Sequence, residues 1–356
     1  MPSLFDPIAM GALRLRNRIV MAPLTRCRAE PDTRVPVPMM AEYYRQRASV
    51  GLIISEATSV DPVGVGYPAT PGIWSDEQME GWKAVTRAVH DAGGSMLLQL
   101  WHVGRISDPS FLGGKPPVSA SAVAAKGHVS LLRPERPYPV PRALETNEIP
   151  GVIAAYRKGA ENAKKAGFDG VEIHGANGYL LDQFLQDSTN RRTDAYGGSR
   201  EKRARLMLEV TDAVCEVWGP ERVGMHLAPR GDSHDMGDSD LLATFTHVAR
   251  ELGKRRIAFI CAREARREDS IGPRMKEAFG GAFIANEGFD KKSAEQALAD
   301  GVADAVAFGK DIIANPDLVA RFKANAPLNT WDATTFYASG PKGYVDYPAL
   351  EAEMST

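Results

Sequence analysis

Eight short, almost continuously apolar segments recur along the chain, and between them lie longer segments in which apolar residues return every three or four positions. Continuous apolar runs rich in β-branched residues are typical of strands buried on both faces of a parallel sheet, and the longer spacing predicts amphipathic helices. The predicted strands cover residues 18–23, 51–57, 95–101, 170–174, 222–229, 257–262, 282–286 and 305–309. The predicted helices cover residues 39–49, 76–92, 147–166, 202–218, 241–252, 291–299 and 316–322.

Two of these helices carry start signals in the sequence. Ser75, with Gln78 three residues later, predicts a capping box at the start of the second helix. Asn315 followed by Pro316 predicts an N-cap and a first helical residue for the last helix.

The alternation of strands and helices predicts an α/β fold, a (β/α)8 TIM barrel, which needs about 250 residues. The chain has 356 residues, and neither a linker nor an internal repeat divides it, so we expect a single domain over residues 1–356. The chain is therefore longer than a barrel requires, and the longest insertion follows the third strand, at about residues 103–145. A long insertion at the carboxyl end of a barrel strand predicts a lid over the active site, the alternative being a surface excursion without a role.

Composition and charge narrow the functional classes. The chain is 44% hydrophobic and 25% charged with a formal net charge of −2, which is ordinary for a globular protein and offers no basic surface for nucleic acid or membrane lipid. No apolar run approaches the length of a membrane span, and the N-terminus lacks the pattern of a secretory signal. Three widely spaced cysteines predict reduced thiols and no zinc site. We therefore expect a cytoplasmic protein.

A cluster of polar residues follows the fourth predicted strand, in the run GFDGVEIHGANGYLLDQFL. His174, Asn177 and Tyr179 combine two neutral hydrogen-bond donors with a phenol at the end of a strand, where barrel enzymes build their sites. Such a set can hold a carbonyl oxygen and deliver a proton. The alternative is that His174 only caps the strand and Tyr179 only packs.

Other strand ends carry complementary groups. Gly288, Gly309 and Lys310 follow the last two strands, where barrels commonly bind phosphate through backbone N–H groups. Gln99 and Thr25 end the third and first strands with an amide and a hydroxyl. Together these groups suit a flat, hydrogen-bonding heterocycle on a phosphate tail, a description that flavin mononucleotide (FMN) fits.

Six motifs carry a specific resemblance, and they span nearly the whole chain in one order. The chain resembles the Old Yellow Enzyme family of FMN-dependent ene-reductases, and within it the bacterial N-ethylmaleimide, morphinone and pentaerythritol tetranitrate reductases. The motifs are LFDPIAMGALRLRNRIVMAPLTR, AEYYRQRASVGLIISEAT, LQLWHVGR, GFDGVEIHGANGYLLDQFLQDSTNRRTDAYGGSRE, ADAVAFGKDIIANPDLVARF and GPKGYVDYP.

The resemblance implies a role for each matching residue. His174 and Asn177 would bind the carbonyl or nitro oxygen of the substrate, and Tyr179 would donate a proton. Thr25 would bond the flavin C(4) carbonyl and Gln99 the pyrimidine edge. The remaining implied cofactor contacts are Pro23, Leu24, Ala57 and Phe336 around the ring, His226 at its pyrimidine edge, and Glu287, Gly288, Gly309 and Lys310 at the phosphate. The implied substrate pocket is completed by Trp101 and Tyr337.

The resemblance also implies the reaction. NADPH or NADH would reduce the bound FMN and leave, after which the substrate would occupy the same place. Hydride would pass from flavin N(5) to the β-carbon of an electrophilic alkene, an α,β-unsaturated carbonyl or nitro compound, while Tyr179 protonates the α-carbon. Nitrate esters are a further implied substrate class. The partners expected are small molecules, with no nucleic acid and no membrane, for a monomer or homodimer.

The chain departs from the family's usual sequence at two single residues and in one segment. His226 stands where strand five usually carries an arginine that faces the flavin N(1)–C(2) carbonyl edge, and Lys310 replaces a phosphate-binding arginine. Either His226 faces the flavin, or it turns away and Arg230 or Lys310 supplies the positive charge. Cys27 is expected to be structural. The thermophilic-like branch of the family has a cysteine that faces the flavin, but Thr25 holds that position in this chain.

The third departure is the run RGDSHDMGDSD at residues 230–240. Its acidic residues and histidine allow a metal site as one interpretation, but no ligand spacing is recognisable, so a solvated, helix-capping loop is favoured and no metal is expected. The candidate ligands are Asp232, His234, Asp235 and Asp238.

Two other functional classes remain open from the residues. One is a different FMN barrel enzyme, such as a dihydroorotate-type dehydrogenase; a dienoyl-CoA-type reductase would need an iron–sulfur cysteine cluster and a second nucleotide-binding domain. The other is a flavin-binding protein without catalysis, which His226 and Lys310 make conceivable. Retention of His174, Asn177 and Tyr179 favours an active enzyme.

Overall fold

Eight parallel strands close into a barrel in the computed structural model of the chain, which describes residues 2–231 and 233–350. The single domain expected over residues 1–356 thus includes Met1, Asp232 and residues 351–356, which lie outside the described residues. The strands are β1 (Ile8–Met10), β2 (Leu13–Leu15), β3 (Ile19–Met21), β4 (Leu52–Ser59), β5 (Met96–Trp101), β6 (Val118–Ser119), β7 (Arg142–Ala143), β8 (Gly170–His174), β9 (Val223–Leu227), β10 (Phe259–Arg263), β11 (Ala282–Asn286) and β12 (Ala305–Phe308).

The barrel order is β3, β4, β5, β8, β9, β10, β11 and β12, with β12 returning to β3. All eight predicted strands are present, and helices follow each of them, so the predicted (β/α)8 barrel is confirmed. The helices are α1 (Pro38–Gln46), α2 (Asp76–Asp91), α3 (Ile149–Lys165), α4 (Leu180–Leu185), α5 (Arg200–Trp218), α6 (Leu241–Arg255), α7 (Gly272–Phe279), α8 (Lys291–Ala299), α9 (Lys310–Ala314) and α10 (Leu318–Ala324).

The two predicted helix starts have different outcomes. The capping box of α2 is confirmed, because the Gln78 backbone N–H donates to Ser75 Oγ over 3.2 Å and the Gln78 side chain accepts from the Ser75 N–H. The predicted start at Asn315 is wrong. Asp317 is the N-cap of α10. Asn315 instead ends α9, a short helix that the sequence pattern did not reveal, and its side chain donates to the Asp311 carbonyl one turn earlier.

Burial explains why the strands read as continuous apolar runs. Every residue of β4, β5, β8 and β9 is buried, since one face meets the barrel interior and the other meets the helices. Leu97 and Phe259 belong to the cluster inside the barrel, whereas Leu98 and Ile260 belong to the cluster beneath the helices. Each fully buried side chain of this size contributes roughly 1.5–3 kcal/mol. This rigid double layer fixes where the strand ends lie.

The insertion after β5 forms a cover at one side of the barrel face. It contains the β6–β7 pair and places Val129 and Tyr138 in an apolar cluster with Trp101 and Tyr179. Arg105, at its start, donates to the carbonyl oxygens of His234 and Val123 over 2.7 and 2.9 Å, which ties the insertion to the loop after β9. The segment thus packs beside the site expected at residues 174–179.

The segment after α10 returns across the barrel face and is held by buried arginines near the N-terminus. Arg26 Nη2 donates to the Gly343 carbonyl over 2.8 Å, and Arg28 Nη2 donates to the Thr335 carbonyl over 3.0 Å. The Tyr43 and Tyr344 rings stack with centroids 4.1 Å apart. These contacts set Phe336 and Tyr337 at the mouth of the barrel. None of the described helices combines the length and apolar character needed to cross a membrane.

Candidate active site

A cavity of about 610 Å³ opens at the carboxyl ends of the barrel strands. It lies where the sequence predicted a site, and most of the predicted site residues line it. From that set the lining includes Pro23, Leu24, Thr25, His174, Asn177, His226, Glu287, Gly288, Gly309, Lys310, Phe336 and Tyr337. The other predicted residues, Ala57, Gln99, Trp101 and Tyr179, lie in the shell around this lining.

Trp101 and Tyr179 adjoin His174 and form an aromatic wall. The Tyr179 ring meets the His174 and Trp101 rings edge to face, with both centroid distances 5.0 Å. The Trp101 and His174 rings are nearly parallel, 6.3 Å apart. The predicted donor, acid and pocket residues are therefore brought together.

His174 is held as a neutral imidazole. Burial lowers its pKa well below the ordinary value, and the nearby His226, Arg263 and His234 side chains add to this effect. Its Nδ1 is buried without a hydrogen-bond partner, which leaves Nε2 as the nitrogen available to a bound molecule. A neutral imidazole protonated at Nε2 is a hydrogen-bond donor that carries no net charge.

Asn177 is fixed in an uncommon backbone conformation. Its φ is +57°, in the left-handed region that non-glycine residues rarely adopt and that clusters at functional sites. His234 Nδ1 lies 2.7 Å from the Asn177 carbonyl oxygen, and Arg263 Nη1 donates to Asn177 Oδ1 over 3.0 Å. Asn177 is thus held through both its main chain and its side chain.

Tyr67 is a neighbour of Tyr179 that the sequence reasoning missed. The two hydroxyl oxygens are 2.9 Å apart, and His234 Nε2 lies 3.4 Å from the Tyr67 hydroxyl. Burial raises the pKa of both phenols well above the ordinary value, so both hold their protons at neutral pH. The only sequence signal was position, because Tyr67 lies in the glycine- and proline-rich segment that follows β4.

Beneath the cavity, Gln99 and His226 share the carboxylate of Glu172. Gln99 Nε2 donates to Glu172 Oε2 over 2.7 Å, and His226 Nδ1 lies 3.6 Å from the same oxygen. Ala57 pairs in register with Gln99 across β4 and β5. Glu172 was also missed by the sequence reasoning. It fixes the Gln99 amide, so that the Gln99 carbonyl oxygen is the free end.

Glu172, His226 and Cys261 also present their potential ligand atoms within 4.8 Å of one another. This is the set of described residues whose spacing would suit a metal ion. Glu172 already accepts from Gln99, and burial raises the pKa of the Cys261 thiol, so that it stays protonated and is a poor ligand.

The loop residues that allowed a metal interpretation do not converge. His234 faces Asn177 and Tyr67, Asp235 pairs with Lys126 over 2.9 Å, and Asp238 pairs with Arg203 over 3.0 Å. Asp232, the fourth candidate, lies outside the described residues. The three described side chains therefore serve separate contacts.

The opposite end of the cavity is suited to an anion. Gly288 has a φ of +75°, and a Cβ added there would meet no atom within 4 Å, so its backbone is open to a ligand. Lys310 supplies a positive charge, its Nζ lying 4.9 Å from the Trp331 ring centroid. The Glu287 carboxylate is paired with Arg263 over 3.1 Å, so only the Glu287 backbone is suited to contact an anion.

Arg263 is the guanidinium that lines the cavity, and the sequence analysis did not assign it to the site. Arg230, considered as an alternative cation, is instead paired with Glu264 over 3.1 Å and Asp269 over 2.6 Å. Cys27 is buried, and burial raises its pKa to about 12, as expected of a structural thiol.

Residues 3–329 match the sequence model of the NADH:flavin oxidoreductase / NADH oxidase family. The chain is 46% identical to 12-oxophytodienoate reductase 1 of Oryza sativa subsp. japonica, covering 98% of this chain and 93% of that protein. It is 44% identical to a probable flavin mononucleotide-dependent alkene reductase of Leishmania infantum, covering 98% of this chain and 97% of that protein.

Solved structures agree with these matches. An old yellow enzyme homologue from Zymomonas mobilis superposes with a TM-score of 0.95 at 47% identity, covering 98% of this chain and all of the other (100%). Morphinone reductase in complex with tetrahydroNAD superposes with a TM-score of 0.95 at 48% identity, covering 98% of both chains.

Proposed function

Because the chain belongs to the NADH:flavin oxidoreductase / NADH oxidase family and aligns with its old yellow enzyme members along almost its whole length, we propose that it is an FMN-dependent ene-reductase. Its substrates are small electrophilic alkenes activated by a carbonyl or nitro group. The observation that carries the proposal is the meeting of His174 and Asn177 in the cavity wall, with the Tyr179 ring 5.0 Å from the His174 ring.

The residues present fit FMN. The cavity offers an open glycine backbone and Lys310 at one end, and the side-chain amide of Gln99 lies in the shell behind His226, bonded to the same Glu172 carboxylate that His226 adjoins. In the proposed arrangement the phosphate contacts Lys310 and the backbone of Gly288, Gly309 and Glu287. The proposed ring contacts are Pro23, Leu24, Thr25, Ala57, Gln99, His226 and Phe336. Bound FMN, reduced by NADPH or NADH, supplies the hydride.

His174 and Asn177 bind the oxygen of the activating group. Negative charge grows on that oxygen as the alkene is reduced, so donors that are already in place stabilise the transition state more than the ground state. The buried, neutral His174 suits this role, because it donates a hydrogen bond without needing to change its protonation state. The left-handed backbone of Asn177 holds this residue in the cavity wall, which His174 also lines.

Tyr179 delivers the proton that the α-carbon of the alkene requires. Its raised pKa keeps the phenol protonated until the substrate carbanion, a stronger base, accepts the proton. The Tyr67 hydroxyl, 2.9 Å away, stabilises the phenolate that remains by donating a hydrogen bond to it. Trp101 and Tyr337 shape the space around the substrate.

The insertion at about residues 103–145 acts as a lid in this proposal, because it packs Val129 and Tyr138 against the cluster that contains Trp101 and Tyr179. A lid there keeps water away from the protonation step. We propose NADPH as the reductant, with NADH as the alternative.

One assay tests the proposed function. The purified protein, loaded with FMN, is mixed with NADPH or NADH and 2-cyclohexenone, and both nicotinamide oxidation and cyclohexanone formation are followed. An ene-reductase gives one cyclohexanone per nicotinamide oxidised under anaerobic conditions. A flavin-binding protein without catalysis gives neither signal, and a dihydroorotate-type dehydrogenase leaves cyclohexenone unreduced.

A further inference from the structure

We propose that Arg263 is a positioning residue of this site, which turns the side-chain amide of Asn177 so that its NH₂ group faces the substrate's oxygen. The proposal rests on the proposed ene-reductase function, because it concerns how Asn177 acts in that reaction. Two contacts carry it. Arg263 Nη1 donates to Asn177 Oδ1 over 3.0 Å, and Arg263 Nη2 donates to Glu287 Oε1 over 3.1 Å.

An amide side chain has two ends of similar shape and opposite hydrogen-bonding character. The NH₂ end of Asn177 stabilises an oxygen that becomes negative, whereas the carbonyl end repels it. A guanidinium has donors only and keeps its charge at any working pH. Arg263 therefore bonds the carbonyl end alone, and the flipped amide loses this bond and brings its NH₂ toward a cation.

The main-chain contacts of Asn177 do not settle this orientation. The φ of +57° and the contact from His234 fix the position of the backbone, but rotation about the last side-chain bond exchanges the amide ends without moving it. Among the described residues, it is Arg263 that hydrogen-bonds the Asn177 side chain and can hold one amide orientation.

Arg263 is itself held in place to do this. It ends β10 and pairs in register with Asn286 of β11, which brings it beside Glu287. One nitrogen of its planar fork is occupied by Glu287, and this directs the other toward Asn177. The fork spans two strand ends, which the single ammonium of a lysine does not do.

A double-mutant cycle tests the proposal on the FMN-loaded enzyme. The wild type, Arg263→Met, Asn177→Ala and the double variant are compared by stopped-flow for the oxidation of the pre-reduced enzyme by 2-cyclohexenone. We expect Arg263→Met to slow this step about 10- to 100-fold in the wild-type background, as for loss of an oriented oxyanion donor. In the Asn177→Ala background the same change should leave the rate almost unchanged, because the amide that Arg263 orients is absent.

Two further variants and one further rate serve as controls. Arg267→Met removes an exposed arginine from the loop that follows β10 and serves as the charge-matched control that retains the wild-type rate. Arg263→Lys keeps the charge without the fork and recovers only part of the rate. Reduction of the flavin by NADPH, in which no enolate forms, should fall less in Arg263→Met than oxidation by 2-cyclohexenone does.

Two results would overturn the proposal. One is an unchanged rate in Arg263→Met, and the other is an equal loss with and without Asn177, which would mean that Arg263 acts independently of that amide. If instead the wild type itself leaves cyclohexenone unreduced, the proposed function fails before any variant is compared. A neutron crystal structure of Arg263→Met would show the flipped or mobile Asn177 amide directly.

Discussion

The hydroxyl oxygens of Tyr67 and Tyr179 lie 2.9 Å apart, although 112 residues separate them in the chain. Tyr67 follows β4 and Tyr179 follows β8, and β5 lies between these two strands in the barrel. Tyr67 is buried and Tyr179 is half-buried, and both phenols hold their protons at neutral pH. The contact gives the proposed proton donor a partner of its own kind, and its consequences can be measured.

Removing the Tyr179 hydroxyl should affect substrates according to their need for a proton. Tyr179→Phe is expected to slow the reduction of 2-cyclohexenone about 10²- to 10⁴-fold, the usual contribution of a positioned acid. Nitrate esters, which lose nitrite and need no protonation at carbon, should be much less affected. Single-turnover rates for both substrates check this. Equal losses for the two classes would mean that Tyr179 shapes the pocket and does not donate the proton.

Tyr67→Phe should have a smaller effect of the same kind, because it removes only the hydrogen bond that stabilises the Tyr179 phenolate. We expect about a tenfold loss with 2-cyclohexenone, which corresponds to one hydrogen bond to a charged group. In the Tyr179→Phe background, the same change should have little effect. An equal loss in both backgrounds would assign Tyr67 a role apart from Tyr179.

Removing both oxygen-binding donors should separate the two halves of the reaction. His174→Ala combined with Asn177→Ala is expected to slow enone reduction by a factor of about 10² or more, because losing even one oxyanion-type donor costs about 3 kcal/mol. It should also abolish the charge-transfer binding of added phenols. Flavin reduction by NADPH should suffer less, since no enolate forms in that step. Rapid-mixing measurements of flavin reduction by NADPH and of flavin oxidation by cyclohexenone test this difference. Wild-type rates with cyclohexenone would rule out these residues as its binding site.

The purified protein should be yellow and should release FMN on denaturation. The anion-binding end of the cavity offers Gly288, Gly309 and Lys310 for one phosphate, and the chain has no Gly-x-Gly-x-x-Gly unit to hold a dinucleotide. Chromatography of the denatured supernatant against FMN and FAD standards identifies the cofactor. Release of FAD, or a colourless protein that FMN does not reconstitute, would contradict the proposal.

His226 should hold FMN less firmly than an arginine would at the same position. Reduced flavin carries negative charge at its pyrimidine edge, and an arginine is charged at any working pH and offers a planar fork of donors. His226→Arg should therefore raise the affinity for FMN and raise the midpoint potential, because the added positive charge favours the reduced flavin. Spectroelectrochemical titrations of both proteins measure this. If neither the potential nor the affinity changes, His226 does not interact with the flavin.

Glu56 should make the protein less stable as the pH rises toward neutrality. Burial raises its pKa from 4.5 to about 7, against the opposing contacts from the Arg26 N–H and the Tyr44 hydroxyl. Between these two pH values the unfolded state has lost a proton that the folded state keeps, so stability falls with pH in this window and stays lowered above it. The loss amounts to about 3 kcal/mol at 1.36 kcal/mol per pH unit.

Glu56→Gln removes this ionisation. Its free energy of unfolding relative to wild type should rise from pH 4.5 to 7 and level off above pH 7, as measured by denaturant titration at several pH values. The difference between the two proteins isolates Glu56, because Asp182, whose pKa is also raised to about 7, is present in both. Glu80→Gln, the same change at an exposed position on α2, is the matched control. A constant difference across the range would contradict the assignment.

Part of the fold was readable because the signal is local. Every barrel strand is long enough and apolar enough to stand out, and seven helices show the three-to-four spacing. The helix α7 was missed, since it has eight residues and begins with Gly272 and Pro273. The β1–β2 hairpin was missed as well, because Gly11 and Arg14 interrupt its apolar residues.

The candidate site divides in the same way. His174, Asn177 and Tyr179 lie within six residues, so their grouping at a strand end was visible in the sequence, as was the series of polar residues at the other strand ends. Tyr67, Glu172 and Arg263 were not assigned to the site, because each acts on a residue from a different strand. Nothing in the local sequence distinguishes them from other polar residues at or near strand ends.

By itself, the sequence determined which segments become strands and helices, and therefore which residues stand at the carboxyl ends of the barrel strands. Hydrophobic periodicity and turn residues act over a few positions, and that range is sufficient for these decisions. Only the closed barrel decided which strand ends face one another. The contact of Arg263 with Asn177 joins residues 86 positions apart, and it exists because barrel order and register, set by packing over the whole molecule, bring β10 and the loop after β8 to one cavity.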